Sequence, residues 1–150
     1  MSIRLWYTFL SFVALILLSA AVYSVIQTRT SFKELVLNQM HEFDSVSEMR
    51  VSKNFNKPDE QELKITDQAT IKRIFNSLSD LKLLKNSMKT FSDDEYEIRF
   101  HGRTSSFTVT YYRPDHIRIM NGSSNHKRYS WEYKIVNHFD SNVIEDLFKG

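Results

Sequence analysis

The hydrophobic and polar positions of this chain follow three patterns, and the first is a long apolar run. Leu5 to Ile26 contains no charged residue, and the nearest charges are Arg4 and Arg29. A helix of this length exceeds the roughly 20 residues needed to cross a hydrocarbon core of about 30 Å. Eleven Leu, Ile, Val and Phe residues after Tyr7 together favour insertion by about 3 to 7 kcal/mol. We therefore predict a transmembrane helix over 5–26, since an apolar helix buried in a soluble core is normally shorter and interrupted by polar residues.

The flanks of this run bear on its orientation and processing. Arg4 and the terminal amine on one side nearly balance Arg29 and Lys33 on the other, so charge alone does not set the direction. The short N-terminal overhang is typical of a signal peptide or signal anchor, which places the remainder outside. Small residues at 19 and 21, or at 22 and 24, also fit a cleavage site. We predict a single-pass protein of the cell membrane with an extracytoplasmic C-terminal domain, and leave cleavage open.

The second pattern is apolar spacing typical of helices. From Ser31 to Phe43 it predicts a helix capped by Ser31, interpreted as a stalk over 31–45 between an anchor (1–30) and a domain (46–150). A second helix begins at Thr66 or Asp67, with Ala69, Ile71, Ile74, Phe75 and Leu78 on one face. A final helix, capped by Asp140 or Ser141, carries Val143, Ile144, Leu147 and Phe148.

The third pattern is strict alternation, which is typical of half-buried antiparallel strands. Four such runs follow one another between Tyr96 and Ile135 and are separated by turn residues, so they predict a four-stranded meander. Two weaker strands are predicted over Val46 to Phe55 and Leu63 to Thr66, while Leu81 to Leu84 fits either helix or strand. The predicted fold class is α+β, a two-layer domain in which an antiparallel sheet is packed by two helices.

Composition supports one ordered domain after the anchor. The chain has no cysteine, three glycines and two prolines against eleven Phe and seven Tyr, so low complexity and disulfides are both excluded. The formal charge of +2 is uneven, because the segment 96–134 contains the positive excess. This segment is also the predicted meander.

Alternation places a set of basic side chains together on the polar face of the meander. Such a face can bind lipid headgroups or an anionic polymer, although a solvated face that keeps the sheet soluble would look the same. Nucleic acid is not expected as a partner of an external domain. The candidate ligand-binding residues are Arg99, His101, His116, Arg118, Arg128 and Lys134.

Neither a metal site nor an active site is predicted. The five histidines lack the close pairing of a metal motif, and the acidic run from Asp93 to Glu95 lacks the glycine and spaced ligands of a calcium loop. There is no cysteine nucleophile, no GxSxG and no glycine-rich phosphate loop. We therefore expect no enzyme activity, no cofactor and no bound metal.

Several segments resemble those of small uncharacterised single-pass membrane-anchored proteins of Bacillus-type bacteria. These are the anchor, Lys64 to Thr66 running into a helix, the strand Glu97 to Gly102, the tyrosine-rich strand Tyr129 to Ile135 and the closing helix Val143 to Phe148. The resemblance implies an envelope location and an α+β domain, and it transfers no catalytic residue.

Two functions remain open at this stage. The first is a non-enzymatic envelope protein that binds membrane lipid, another envelope protein or an anionic polymer through its basic sheet face. The second is a structural or regulatory accessory subunit of a membrane complex, whose contact with its partner is made by the transmembrane helix and the stalk.

Overall fold

The computed structural model describes residues 3–40, 46–86, 94–102, 105–122 and 130–149. Its central feature is an antiparallel eight-stranded sheet, with helices packed on one face. The predicted α+β class is therefore confirmed. The strands are β1 (Arg29–Ser31), β2 (Met49–Lys53), β3 (Gln61–Ile65), β4 (Lys82–Lys85), β5 (Glu95–His101), β6 (Ser106–Tyr112), β7 (His116–Asn121) and β8 (Ser130–Ile135).

The predicted meander forms the middle of this sheet. The strand order is β1-β4-β8-β7-β6-β5-β2-β3, so the four alternating runs lie side by side as neighbours. The two weaker strands, β2 and β3, extend one side of the meander. On the other side, the ambiguous segment after Leu81 forms β4, because its pairing with β8 buries Leu83 beside Ile135.

The N-terminal helix, α1, spans Ile3–Thr28, and its side chains are described at residues 6, 7 and 9–22. Ten of the twelve exposed large apolar side chains of the described residues belong to this helix. Among the residues whose placement is described, no helix combines the length and apolar character of a membrane crossing. A transmembrane helix over 5–26 therefore stays a prediction.

The segment expected to be a separate helical stalk is part of the domain. Its first residue, Ser31, ends β1 and caps a single helical turn, α2 (Phe32–Leu35), by accepting a hydrogen bond from the Glu34 backbone N–H at 3.2 Å. A short 3₁₀ turn follows over Leu37–Gln39. Four apolar side chains of this segment are buried in the main core: Phe32, Leu35, Val36 and Met40. The described part of 31–45 therefore does not form the predicted stalk.

The long helix of the domain, α3 (Gln68–Ser79), crosses from β3 at one end of the sheet to β4 near the other. Of the two predicted caps, Asp67 begins the helix by accepting a hydrogen bond from the Thr70 backbone N–H at 2.8 Å. Its buried face contacts the sheet directly, since the rings of Phe75 and Phe100 meet edge to face at 4.8 Å. Four of the five residues predicted for its apolar face are buried, whereas Ala69, in the first turn, is exposed.

The C-terminal helix is shorter than its apolar pattern suggests. It consists of α4 (Asn142–Glu145) and a 3₁₀ turn over Asp146–Phe148. Of the two predicted caps, the Asp140 carboxylate accepts from the Asn142 backbone N–H at 3.1 Å, whereas Ser141 caps no N–H with its side chain. Phe148 packs against Tyr96, which places this end on the same face of the sheet as α3.

Candidate functional site

The face of the sheet opposite α3, called the open face below, displays the polar side chains of alternating strand positions. One row crosses five strands through Ser52, Glu97, Thr110, Arg118 and Glu132. Three members, Ser52, Glu97 and Thr110, are buried although they are polar. Burial of a polar group is unfavourable unless it is paired, so the partners of this row determine what the face can bind.

Opposite charges alternate along β2, β3 and β5 in a continuous ion network. Arg50 Nε lies 3.1 Å from Glu48 Oε1, and Arg50 Nη1 lies 3.6 Å from Glu62 Oε1. The same Glu62 accepts a hydrogen bond from Arg99 Nη2 at 3.0 Å. At one end of the network, Lys64 Nζ lies 2.7 Å from Glu48 Oε2. The two predicted strands β2 and β3 thus bring acidic side chains to Arg99.

Arg99 also contacts a buried carboxylate on its own strand. Its Nε lies 3.0 Å from Glu97 Oε1, but this buried N–H is not aligned for a hydrogen bond, so the contact is electrostatic. Glu97 is 8% exposed. Burial raises the pKa of the Glu97 carboxyl, and the Arg99 charge offsets only part of that rise.

The raised pKa predicts a pH dependence of stability. The folded state binds the Glu97 proton more tightly than the unfolded chain, so this group favours folding below its unfolded pKa and loses that contribution as pH rises through the raised value. Glu97→Gln removes the titration. Its stability relative to wild type is therefore expected to increase from about pH 4 to neutrality, as measured by urea midpoints of the full chain in neutral detergent.

Glu48 provides a control, because its pKa is shifted in the opposite direction to that of Glu97. Hydrogen bonds from Lys64 and then Arg50 lower the pKa of Glu48, so its contribution is present above the unfolded pKa and is lost as pH falls through the lowered value. The relative stability of Glu48→Gln should therefore decrease toward neutrality. Parallel pH profiles for the two variants would contradict the assignment of Glu97 as a carboxyl penalised by burial.

A second ionic group lies on β7 and β8. His116 and Lys134 are register partners and share one carboxylate, with Asp115 oxygens 2.9 Å from His116 Nδ1 and 3.4 Å from Lys134 Nζ. Arg118 is hydrogen-bonded to its register partner Glu132, and its guanidinium stands over the Tyr112 ring at 5.5 Å. The basic residues of this group are thus already compensated by acidic neighbours.

The open face contains one recess that combines predicted site residues with others. Its volume is ≈ 320 Å³, and it opens where β2 and β5 meet. Arg99 and His101, both predicted, form part of its wall. The lining consists of Ser47, Glu48, Arg50, Arg99 and His101.

The five predicted site residues that the structure describes therefore do not form one continuous basic surface. Arg99 and His101 meet at the recess, while His116, Arg118 and Lys134 belong to the second ionic group. Arg128 lies outside the described residues. Sequence reasoning missed Arg50 of the recess, although the alternation of Met49 and Val51 already places Arg50 on the polar face.

The arrangement also bears on metal and catalytic chemistry. His101 pairs with Ser106 at one end of β6, and His116 pairs with Tyr112 at the other, about 20 Å away. Within the described ranges, no three His, Cys, Asp or Glu side chains are grouped for a metal ion. Ser47 and His101 both line the recess, and no hydrogen bond joins these two described residues.

Comparison with known proteins adds no functional information. No family model, no curated protein and no solved structure matches this chain.

Proposed function

We propose that this chain is a non-enzymatic binding module of the cell envelope, anchored by a single membrane-spanning helix over 5–26 with its C-terminal domain outside. The main support for the membrane anchor is that apolar side chains are exposed on every side of α1. Leu15, Ile16, Leu17 and Leu18 are each at least half exposed, and four consecutive helical positions point around the whole helix. A helix that is apolar on every side needs an apolar surrounding, and a bilayer provides it.

The second support is the direct connection between α1 and the sheet. Thr28 ends α1 and Arg29 begins β1, so no linker separates the proposed anchor from the domain. The burial of Phe32, Leu35 and Val36 also weighs against the alternative of an accessory subunit that contacts its partner through a stalk. That alternative is then limited to contacts made by α1.

For the ligand, we favour an anionic envelope polymer that places an acidic group in the recess. Arg50 and Arg99 contribute positive charge there, and each already has a carboxylate neighbour. The ligand must compete with those carboxylates, so binding should be weak and should fall steeply as salt is raised. An envelope protein with an acidic surface would be bound through the same charges.

A binding measurement tests this assignment. The full chain in neutral detergent should bind poly(glycerol phosphate), and Arg50→Ala combined with His101→Ala should reduce the affinity by about tenfold or more, since two recess contacts are lost. Both side chains are exposed, so folding should be retained. Titration by calorimetry at low and physiological salt measures the affinity.

The matched control is Lys72→Ala combined with Arg73→Ala on the exposed face of α3, which leaves the recess unchanged. This control removes two formal positive charges and the recess variant removes one, so an equal or greater loss of affinity in the control would show that the polymer responds only to net charge. Absence of binding by the wild-type chain would reject the anionic polymer as ligand.

A further inference from the structure

Four cations lie together at the edge of the sheet that adjoins α1, away from both ionic groups of the open face. This juxtamembrane edge consists of β1, the first turn of α2 and the neighbouring strand β4, in which Arg29 is opposite Leu84 and Ser31 is opposite Lys82. No ion pair within the described residues involves the four cations of this edge: Arg29, Lys33, Lys82 and Lys85.

The charge balance of this edge is positive. Two carboxylates are close to the four cations in the chain: Glu34 lies in the turn of α2, and Asp80 lies two residues before β4. Glu34 accepts a hydrogen bond from the Thr30 hydroxyl at 3.0 Å. Lys85 lies over the Trp131 ring at 3.9 Å. The excess of two positive charges contrasts with the two compensated ionic groups of the open face.

The edge is also held in a fixed position. The Asn137 side chain bridges it, because its Oδ1 accepts from the Lys82 backbone N–H at 2.7 Å and its Nδ2 donates to the Asp80 carbonyl at 2.9 Å. The Val136 backbone N–H donates to the Lys82 carbonyl at 3.0 Å. The Val136 side chain is 53% exposed and therefore adds apolar surface beside Lys82.

From this placement we propose that the juxtamembrane edge binds the headgroups of anionic phospholipids in the bilayer that α1 crosses. The inference rests on the proposed anchoring. Lys82 is opposite Ser31, which lies three residues beyond the end of α1. At about 3.3 Å per strand residue and about 4.8 Å between neighbouring strands, Lys82 lies about 11 Å from that end, which is close to one Debye length. The headgroup region begins at that end, so charge complementarity identifies its lipids as the occupant.

This contact would fix the orientation of the domain as well as its location. With β1 and β4 against the headgroups, β3 at the opposite edge of the sheet stands farthest from the bilayer, about seven strand spacings away. The recess, on β2 and β5, is then held away from the membrane and toward ligands in the envelope.

The absence of cysteine allows a direct test with single introduced labels. The full chain carrying Val136→Cys is labelled with a fluorophore and reconstituted into vesicles of phosphatidylcholine, with or without phosphatidylglycerol, that contain a headgroup quencher. We expect strong quenching that depends on phosphatidylglycerol. A label at Gln61→Cys, on β3, should be unaffected by either lipid.

Charge reversal tests the role of the lysine. Lys82→Glu changes the edge by two charges, and each charge near an anionic surface changes the contact population roughly fivefold, so a loss on the order of 25-fold is expected. Lys53→Glu, on β2, is the matched control and should change nothing. Equal quenching with and without phosphatidylglycerol, or equal effects of the two reversals, would overturn the inference.

The same preparation separates this inference from the proposal on which it rests. A chain that does not float with the vesicles would overturn the anchoring, and the headgroup contact with it. A chain that floats but leaves the label at 136 unquenched would overturn the headgroup contact alone.

Discussion

Phe32→Ala is expected to lower the free energy of unfolding of the domain by about 3 to 5 kcal/mol. The ring is fully buried in the core, and the backbone N–H of the same residue donates to the Leu81 carbonyl at 3.1 Å, which ties α2 to the start of β4. Truncation leaves a cavity that the surrounding sheet and helices fill only in part. Small domains are stable by only about 5 to 15 kcal/mol, so this is a large effect.

Urea unfolding of the full chain in neutral detergent, followed by near-ultraviolet circular dichroism, measures the change. Lys33→Ala alters the next residue, which is exposed, and should stay within about 0.5 kcal/mol of wild type. A loss below about 1 kcal/mol for Phe32→Ala would mean that the segment contributes little to the core, as expected of the separate stalk that its sequence pattern suggested.

Leu15→Arg combined with Leu18→Arg is expected to abolish membrane integration. Each arginine near the centre of a spanning helix opposes insertion by about 2.5 to 3.5 kcal/mol, and each lost leucine removes about half a kcal/mol of favourable transfer. The pair therefore changes insertion by about 6 to 8 kcal/mol, which offsets the whole favourable contribution of the apolar run. Both side chains are exposed on α1, so the domain should remain folded.

Extraction of membranes with alkaline carbonate distinguishes integrated from released chain. The control, Leu15→Val with Leu18→Val, keeps the segment apolar and should remain in the membrane. Protease added to intact cells should digest the wild-type domain from outside, and a protected domain would place it on the cytoplasmic side. Retention of the arginine variant in the membrane fraction would reject the spanning helix.

The elements of the domain were largely predictable because their signals are local. Period-two alternation in β5 to β8 arises from the pleat of each strand, and the cap at Asp67 satisfies backbone N–H groups within one turn. Patterns that depend on distant partners were less predictable. The helical spacing after Ser31 was genuine for one turn, but the burial of that turn depends on β4 and α3, some fifty residues later.

The candidate site shows the same division. Alternation correctly places Arg99 and Arg118 on the polar face, yet it does not reveal which carboxylates lie opposite. Arg99 meets Glu62 only because β2 pairs with both β3 and β5. A face that looked basic along the chain is therefore close to balanced in space, whereas four cations that form no ion pair within the described residues share an edge that the sequence did not single out.

By itself, the sequence determined the α+β class, the central meander and which side chains of each strand share a face. Each of these follows from the geometry of a few adjacent residues and does not depend on how the strands pair. Only the tertiary structure decided the order of the eight strands, the inclusion of residues 31–40 in the core and the neutralisation of the open face. These depend on pairing between distant segments, whose outcome is set by shared burial and charge rather than by local periodicity.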